Sequence, residues 1–510
     1  MPRYAAIDVG SNSIRLMVAE ADRGGALQTL VEDRQVTRLG ESVFRTGQLD
    51  PQAAQDALAV LTRMAAAFRE HAPFAVRVVA TAALRDASNS DDFLDRATEI
   101  TGVPLEIISG QEEARLIHLG VEARWPHPEE RILVIDIGGG SAEIIEGVRG
   151  EMRAAFSRPL GALRLQSVML KHDPPAAEEL ERLNEFIDEK LAVALRRIPR
   201  GGFARAIGTS ASASAIVCAA NRIPRPKREL ADRRRATRDQ VSRLYRQLST
   251  LDLAARRRLT GIGPRRAEII LPGVAVLKRV LESFEIPQLA YCAAGVRDGI
   301  IRDLARRGVG RERARLDREQ RAMVEQFARR FGVDLRHARH VAGFARELFD
   351  ALAPLHKRPP EEGRLLEAAA YLRDVGHAIS DTGHHKHSHY IVANSGLAGF
   401  TTAERERVAL LCRYHRKALP TPRHLEFQAL TVEQRRSVML LAPLLRLADA
   451  LDRSRDQRVE SIACEVRNGA VHLTLQSPLD TGLEQWAVEG AAPFFRQAYE
   501  REIVVAREQT

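Results

Sequence analysis

Asp8-Val9-Gly10-Ser11-Asn12-Ser13-Ile14 aligns without a gap on Asp136-Ile137-Gly138-Gly139-Gly140-Ser141-Ala142. No other feature narrows the fold of this chain so sharply. Each copy reads as a strand, a glycine-containing turn, a serine and a second strand. Simple chain reversal would need only a two-residue Asn-Gly type turn. Here an aspartate precedes each turn and a serine ends it. Such a loop offers backbone N–H groups and hydroxyls to an anion, while the aspartate can hold a metal. A single Asp-x-Gly turn would be read as structural. Two copies, each opening an α/β unit, predict homologous halves whose loops face one cleft and grip a chain of phosphates from both sides.

The pattern around the repeat supports that division. Strands are predicted at Tyr4–Val9, Ile14–Glu20, Val76–Ala80 and Leu105–Ile108. Between them, Pro51–Glu70 has helical apolar spacing, Asp91–Ile100 follows a candidate cap at Ser90, and another helix begins near Gln111. This alternation argues for an α/β layer structure. After a Pro-His-Pro break, Arg131–Ile137 opens the second α/β unit. The stretch 306–319 reads as a linker or connecting helix, and Met323 to about Leu451 is helical throughout. Short strands at Val459–Val466 and Val471–Leu475, a helix at Ala491–Tyr499 and a closing strand at Glu502–Ala506 make an α+β tail. The expected domains are therefore 1–125, 126–305, 306–455 and 456–510.

Composition bears on class and partners. At 510 residues the chain exceeds one core, and the length prior suggests roughly three or four domains. No apolar run approaches the roughly 20 residues of a membrane span, and the N-terminus lacks a signal-peptide pattern. A cytoplasmic location is the expectation. Cys218, Cys292, Cys412 and Cys464 form no CxxC, so buried free thiols are predicted rather than disulfides or a zinc-thiolate site. Lys and Arg number 77 against 67 acidic residues, a net charge of +10, which favours anionic partners in general. The arginine-rich stretches Arg222–Arg238 and Arg256–Arg266 read most simply as solvated helix faces. They lack interleaved aromatics, so no nucleic-acid stacking platform and no specific nucleic-acid partner is expected.

Phosphoryl transfer to water needs neutralised phosphate charge, an in-line water and a group that orients or deprotonates it. The loops Gly10, Ser11, Asn12, Ser13 and Gly138, Gly139, Gly140, Ser141 are the candidate phosphate grips. Asp8, Asp136 and Glu143 are the candidate metal carboxylates, suited to Mg²⁺. Ser109 and Glu112 match a capping box, which leaves Glu113 as the candidate water-activating carboxylate. The competing reading of Glu113 is a dipole-stabilising surface residue. Arg85, just past the end of a strand, can chelate phosphate oxygens or simply face solvent. Gly208, Thr209 and Ser210 follow another strand and form a possible third cradle. No Walker A sequence is present, which argues against a P-loop ATPase.

With those residues assigned, the chain resembles the long form of the Ppx/GppA family, exopolyphosphatases and guanosine pentaphosphate phosphohydrolases. The resemblance is carried by AIDVGSNSIRLMV (6–18), VVATAALRDASNSDDF (78–93), IISGQEEARLIHLGV (107–121) and LVIDIGGGSAEII (133–145). Further matching segments are IGTSASASA (207–215), RAEIILPG (266–273), AAYLRDVGH (369–377), HKHSHYIVANS (385–395) and CRYHRKALP (412–420). It implies duplicated actin/hexokinase-like (ribonuclease H-like) domains, an all-α domain like the HD phosphohydrolases, and a small α+β appendage. It further implies that Glu113 is the base, that Asp136 and Glu143 hold the metal, that Arg85 contacts phosphate, and that the protein forms a homodimer.

In the helical domain, His340, Asp374 and Asp449 could be remnants of an HD ligand set. The histidine expected beside Asp374 is Arg373, which has no lone pair for a metal. A binding and dimerisation scaffold is expected there, with His384, His385, His387 and His389 used for phosphate contact or helix capping. The leading reading of the whole chain is a Mg²⁺-dependent exopolyphosphatase. Conversion of pppGpp to ppGpp is the second reading. A non-catalytic polyphosphate or alarmone-binding regulator is a third, against which Glu113, Asp136 and Glu143 count.

Overall fold

A computed structural model describes residues 1–21, 27–307, 315–467 and 469–508. The chain forms two compact units, Met1–Arg306 and Arg307–Thr510. Residues 308–314, within the predicted linker, lie outside the described residues.

The first unit holds two sheets. One comprises β1 (Arg3–Val9), β2 (Ser13–Ala21), β3 (Leu27–Val36), β4 (Ala75–Ala80) and β5 (Leu105–Ile107), in the order β3-β2-β1-β4-β5. The other comprises β6 (Arg131–Ile137), β7 (Ala142–Val148), β8 (Glu151–Arg158), β9 (Arg205–Thr209), β10 (Arg235–Thr237) and β11 (Gln288–Tyr291), in the order β10-β11-β9-β6-β7-β8. Directions also correspond. The pairs β1–β2, β2–β3, β6–β7 and β7–β8 are antiparallel, whereas β1–β4, β4–β5, β6–β9 and β9–β11 are parallel. The seven-residue repeat thus marks two copies of a five-stranded arrangement, with β10 added at an edge.

Sheet burial explains the strand sequences. β1 and β6 are buried nearly end to end because helices cover both faces. Ile7, Leu16, Leu61 and Met64 fill one side of the first sheet, and Ala6, Met17, Val79, Leu116 and Ile300 the other. The helix Gly110–Arg124 crosses the helix Val296–Arg306 where each carries a glycine. A methyl group on Gly299 would stand 1.8 Å from the Leu116 carbonyl oxygen, and one on Gly120 would stand 2.4 Å from that of Gly295. Gly299→Ala should force the helices apart and cost about 1–3 kcal/mol. The check is a downward shift of the denaturation midpoint reported by Trp125, in a Trp486→Phe background that removes the second unit's tryptophan.

Two predicted caps change. Ser90 precedes the helix Asp91–Thr101 but makes no cap hydrogen bond, because its own backbone is helical (φ −80°, ψ −18°) rather than extended as a capping residue requires. Ser109 does cap, its Oγ accepting from Glu112 N–H at 3.2 Å. The reciprocal half of the box is missing because the Glu112 carboxylate is taken by arginines. Arg115 donates to it at 2.8 and 2.9 Å, and Arg77 at 3.0 Å. Arg115 also reaches Asp303 at 2.9 Å and Arg77 reaches Glu106 at 3.2 Å. This charged network lies under the start of the helix.

The second unit packs helices, among them Leu335–Ala351, Glu361–Leu372, His384–Ala393, Thr402–Tyr414 and Val432–Ala450, against a three-stranded sheet. That sheet comprises β12 (Ser461–Arg467), β13 (Ala470–Gln476) and β14 (Ile503–Glu508). Val471, Leu473 and Leu475 join Leu441 and Leu445 in one apolar core. The last helix, Gly482–Tyr499, starts nine residues before the predicted Ala491. Cys218, Cys292 and Cys412 are buried free thiols, whereas Cys464 is half-buried. Among the described residues no helix is long and apolar enough to cross a membrane.

Arg373 is fully buried in this unit. It donates to Asp449 at 2.7 Å and to His337 Nε2 at 2.5 Å, with Asp374 3.6 Å away. The histidine of that group is therefore His337, whereas His340 turns its Nε2 to the Val459 carbonyl at 2.9 Å. The guanidinium supplies the positive charge between these carboxylates. His384 opens its helix without capping it; Gly383 is the cap residue, with no side-chain bond.

Candidate active site

The two repeat loops fold alike and touch. Gly10 N–H bonds Ser13 O at 3.2 Å, and Gly138 N–H bonds Ser141 O at 3.0 Å. The amides of residues 11, 12, 139 and 140 have no hydrogen-bond partner among the described residues. A methyl group on Gly139 would lie 3.0 Å from Asn12 N, and one on Gly140 would lie 2.6 Å from Ser11 Oγ. At residue 140 only glycine permits that approach, and residue 139 is nearly as tight. Behind it, Arg164 donates to Gly140 O at 2.7 Å, pairs with Asp86 at 2.5 Å and stacks on Phe44. The Ser11 hydroxyl oxygen accepts from Ala83 N–H at 3.1 Å, which ties the first loop to the short helix Ala82–Asp86.

The halves differ in charge at one equivalent position. Asp8 pairs across its hairpin with Arg15, whereas Asp136 pairs with Glu143. One half therefore presents an acid and a base, and the other presents two acids on one face. Asp136 accepts from the Thr209 hydroxyl, and Ser157 donates to Glu143 at 2.7 Å. Burial raises Asp136 above the usual carboxylate range against the Thr209 hydrogen bond, Arg15 and Ser210. Burial, with Asp136 adding, pushes Glu143 up to about 7. Asp8 is raised by burial and Asp136, with Arg15 and Arg297 opposing.

Glu113 joins this cluster from the first turn of the helix Gly110–Arg124. The helix lies flush on β8: a methyl on Gly110 would meet Ser157 Cβ at 2.4 Å. Glu113 is 7% exposed, so it is not a surface residue. Its Oε2 has no hydrogen-bond partner among the described residues and stands 3.8 Å from Arg85 Nη2. Burial, then Glu143, raises its pKa well above the ordinary value. Arg85 is held by donating to Ile108 O at 2.6 Å.

The third predicted loop faces inward. A methyl on Gly208 would meet Leu289 at 2.7 Å. Thr209 is spent on Asp136, and the Ser210 hydroxyl donates to Ile137 O at 2.9 Å from a left-handed residue (φ 65°). Its side chains position Asp136 and the second loop.

Sequence reasoning left Arg15, Arg34 and Arg297 without roles and read Arg266 as part of a solvated helix face, whereas it is half-buried. Arg15, Arg34, Arg266 and Arg297 come from β2, β3 and two separate helical segments. Burial and mutual repulsion lower Arg34 to about 9 and Arg266 to about 10, and they also lower Arg297. Burial is the larger cause, and repulsion from Arg15 adds to it in each case. The available signal was a lone charge in an apolar strand, Arg15, and Arg266 inside the RAEIILPG segment.

Twin amide loops, buried carboxylates and neighbouring guanidinium groups together suit a polyanion. The profile of the Ppx/GppA phosphatase family matches residues 17–307, and that of Ppx/GppA phosphatase domain III matches residues 320–487. The chain belongs to the Ppx/GppA phosphatase family. One relative is the guanosine-5'-triphosphate,3'-diphosphate pyrophosphatase of Vibrio vulnificus (strain YJ016). It is 28% identical over 462 residues, covering 90% of this chain and 88% of the relative. Among solved structures, an exopolyphosphatase-like protein is 29% identical with a TM-score of 0.57, covering 60% of this chain and 98% of its own. The Ppx/GppA member of Aquifex aeolicus is also 29% identical, with a TM-score of 0.52 and coverages of 60% and 97%. The Ppx/GppA fold is thus shared with the first unit's two sheets.

Proposed function

We propose that the chain is a Mg²⁺-dependent phosphohydrolase that releases orthophosphate from the end of inorganic polyphosphate. The observation that carries this reading is the meeting of Glu113, Asp8, Asp136 and Glu143 beside two loops with unpaired amides. An all-oxygen donor set in which carboxylates raise one another's pKa fits a hard divalent cation. Asp8, Asp136 and Glu143 would hold Mg²⁺, which supplies charge neutralisation on the phosphate when bound.

The chain's own groups supply the rest. The amides of residues 11–12 and 139–140 hold the terminal phosphoryl oxygens from two sides. Arg85, braced on Ile108 O, contacts the same group. Arg15, Arg34, Arg266 and Arg297 take the phosphates behind it, where each relieves the repulsion among them. Glu113 accepts the proton of the attacking water, a task for which a carboxylate with a raised pKa is suited near neutral pH.

A second reading, removal of the 5′-terminal phosphate of pppGpp, is favoured by the name of the Vibrio relative. It uses the same phosphoanhydride chemistry. Phosphate release by the purified chain with Mg²⁺ should be compared on long polyphosphate, pppGpp and ATP. Preference for long polyphosphate supports the first reading, and higher kcat/KM on pppGpp replaces it with the second. Binding of polyphosphate without turnover would make the chain a regulator.

A further inference from the structure

The helical unit brings together donors that the proposed reaction does not use. Asp374, His377 and His384 each place a ligand atom within 4.8 Å of the others. Asp374 Oδ1 is 3.7 Å from His377 Nε2 and 4.0 Å from His384 Nε2. The two imidazoles stack with centroids 3.9 Å apart. A fourth, His415, sets its Nε2 3.3 Å from that of His384.

Proton positions make this grouping informative. His415 Nδ1 lies 2.7 Å from the Cys412 carbonyl, and His384 Nδ1 lies 3.3 Å from the Asp381 carbonyl. His377 Nδ1 lies 2.6 Å from the Asp381 carboxylate. These oxygens only accept, so each Nδ1 carries a hydrogen and Nε2 is the nitrogen each ring turns toward the group. The Nε2 atoms of His384 and His415 face each other. Nδ1–H bonded to an oxygen, with Nε2 left free, is the second-layer arrangement of histidine metal ligands. Asp374 is divided in the same sense. Its Oδ2 faces Arg373 at 3.6 Å and Arg455 at 3.5 Å, while Oδ1 faces the imidazoles.

We infer that Asp374, His377 and His384, with His415 beside His384, form a binding site for one first-row divalent metal ion, with Zn²⁺ the best match. Two imidazole nitrogens and one carboxylate oxygen, with a fourth position open, are a usual zinc donor set. Tetrahedral ligands at about 2.0–2.1 Å from Zn²⁺ stand about 3.3 Å apart, so the 3.7 and 4.0 Å spacings to Asp374 contract on binding and one of the two stacked rings turns its Nε2 toward the ion. The site shares Asp374 with the group around Arg373, whose guanidinium faces the other carboxylate oxygen.

The test uses the full chain, stripped with EDTA, desalted and titrated with Zn²⁺ and Co²⁺ in excess Mg²⁺ so that hard-oxygen sites are filled. The expected result is one Zn²⁺ per chain by mass spectrometry, and visible d–d absorption with Co²⁺. His377→Ala, at a half-exposed position where folding is safe, and Asp374→Asn should each weaken Zn²⁺ at least about tenfold against a chromophoric chelator. His387→Ala, outside the group, should bind as the parent does. Equal Zn²⁺ affinity in the parent, His377→Ala and Asp374→Asn would overturn the assignment, as would less than stoichiometric retention by the parent.

Discussion

Glu113→Gln is expected to lower phosphate release by about 10²–10⁴-fold while making the first unit harder to unfold at pH 8. The two effects have one cause. In the proposed reaction this carboxylate takes a proton from water, and an amide has no basic oxygen for that task. The same carboxylate is buried beside Glu143, which raises its pKa well above the ordinary 4.5. A group whose folded pKa is raised releases its proton first from the unfolded chain. Folding stability therefore falls as pH climbs from about the ordinary value through the folded value, and stays lower above it. The glutamine escapes that loss. In EDTA, the denaturation midpoints of parent and variant should coincide below about pH 4.5 and separate as the pH rises. Turnover of the parent should show an acid limb well above the usual carboxylate range. Glu143, at about 7, titrates in the same region, so the limb belongs to the pair. A variant with unchanged turnover would remove Glu113 from its role.

Arg115→Met should destabilise the first unit by about 3–5 kcal/mol, the largest stability loss expected of any single change described above. Arg115 is 1% exposed and bonds both Glu112 and Asp303. Burial opposes ionisation of Glu112, yet Arg115 and Arg77 hold its pKa below the usual range. Its contribution is therefore present above the unfolded pKa and lost as pH falls through the folded one. Without Arg115, Glu112 and Asp303 each lose a charged hydrogen-bond partner in the interior. Trp125 fluorescence in the Trp486→Phe background gives the midpoint shift. Adding Glu112→Leu should restore part of the loss, because it removes the stranded charge; no recovery would show that Arg115 acts through packing alone.

The halves of the first unit were legible because their signal is local. A strand, a turn and a strand lie close in sequence to Asp8 or Asp136, and apolar runs mark strands buried on both faces. The edge strands β3 and β8 escaped notice because their half-polar sequences resemble loops. Glu112 illustrates a different limit. Its spacing from Ser109 fits a capping box, but Arg77, 35 residues earlier, and Arg115 compete for the carboxylate and win, since a charged pair outweighs one amide donor.

From residue order alone came the duplication, the paired anion loops, the aspartate ahead of each and the helical character of the C-terminal part. Each depends on spacings of a few residues, over which backbone geometry repeats. Tertiary structure alone decided which charges share a site. Arg15, Arg34, Arg266 and Arg297 converge from distant segments, Thr209 turns inward to Asp136, and His415 meets His384 across 31 positions. Such meetings depend on strand register and helix packing, which no short stretch of sequence contains.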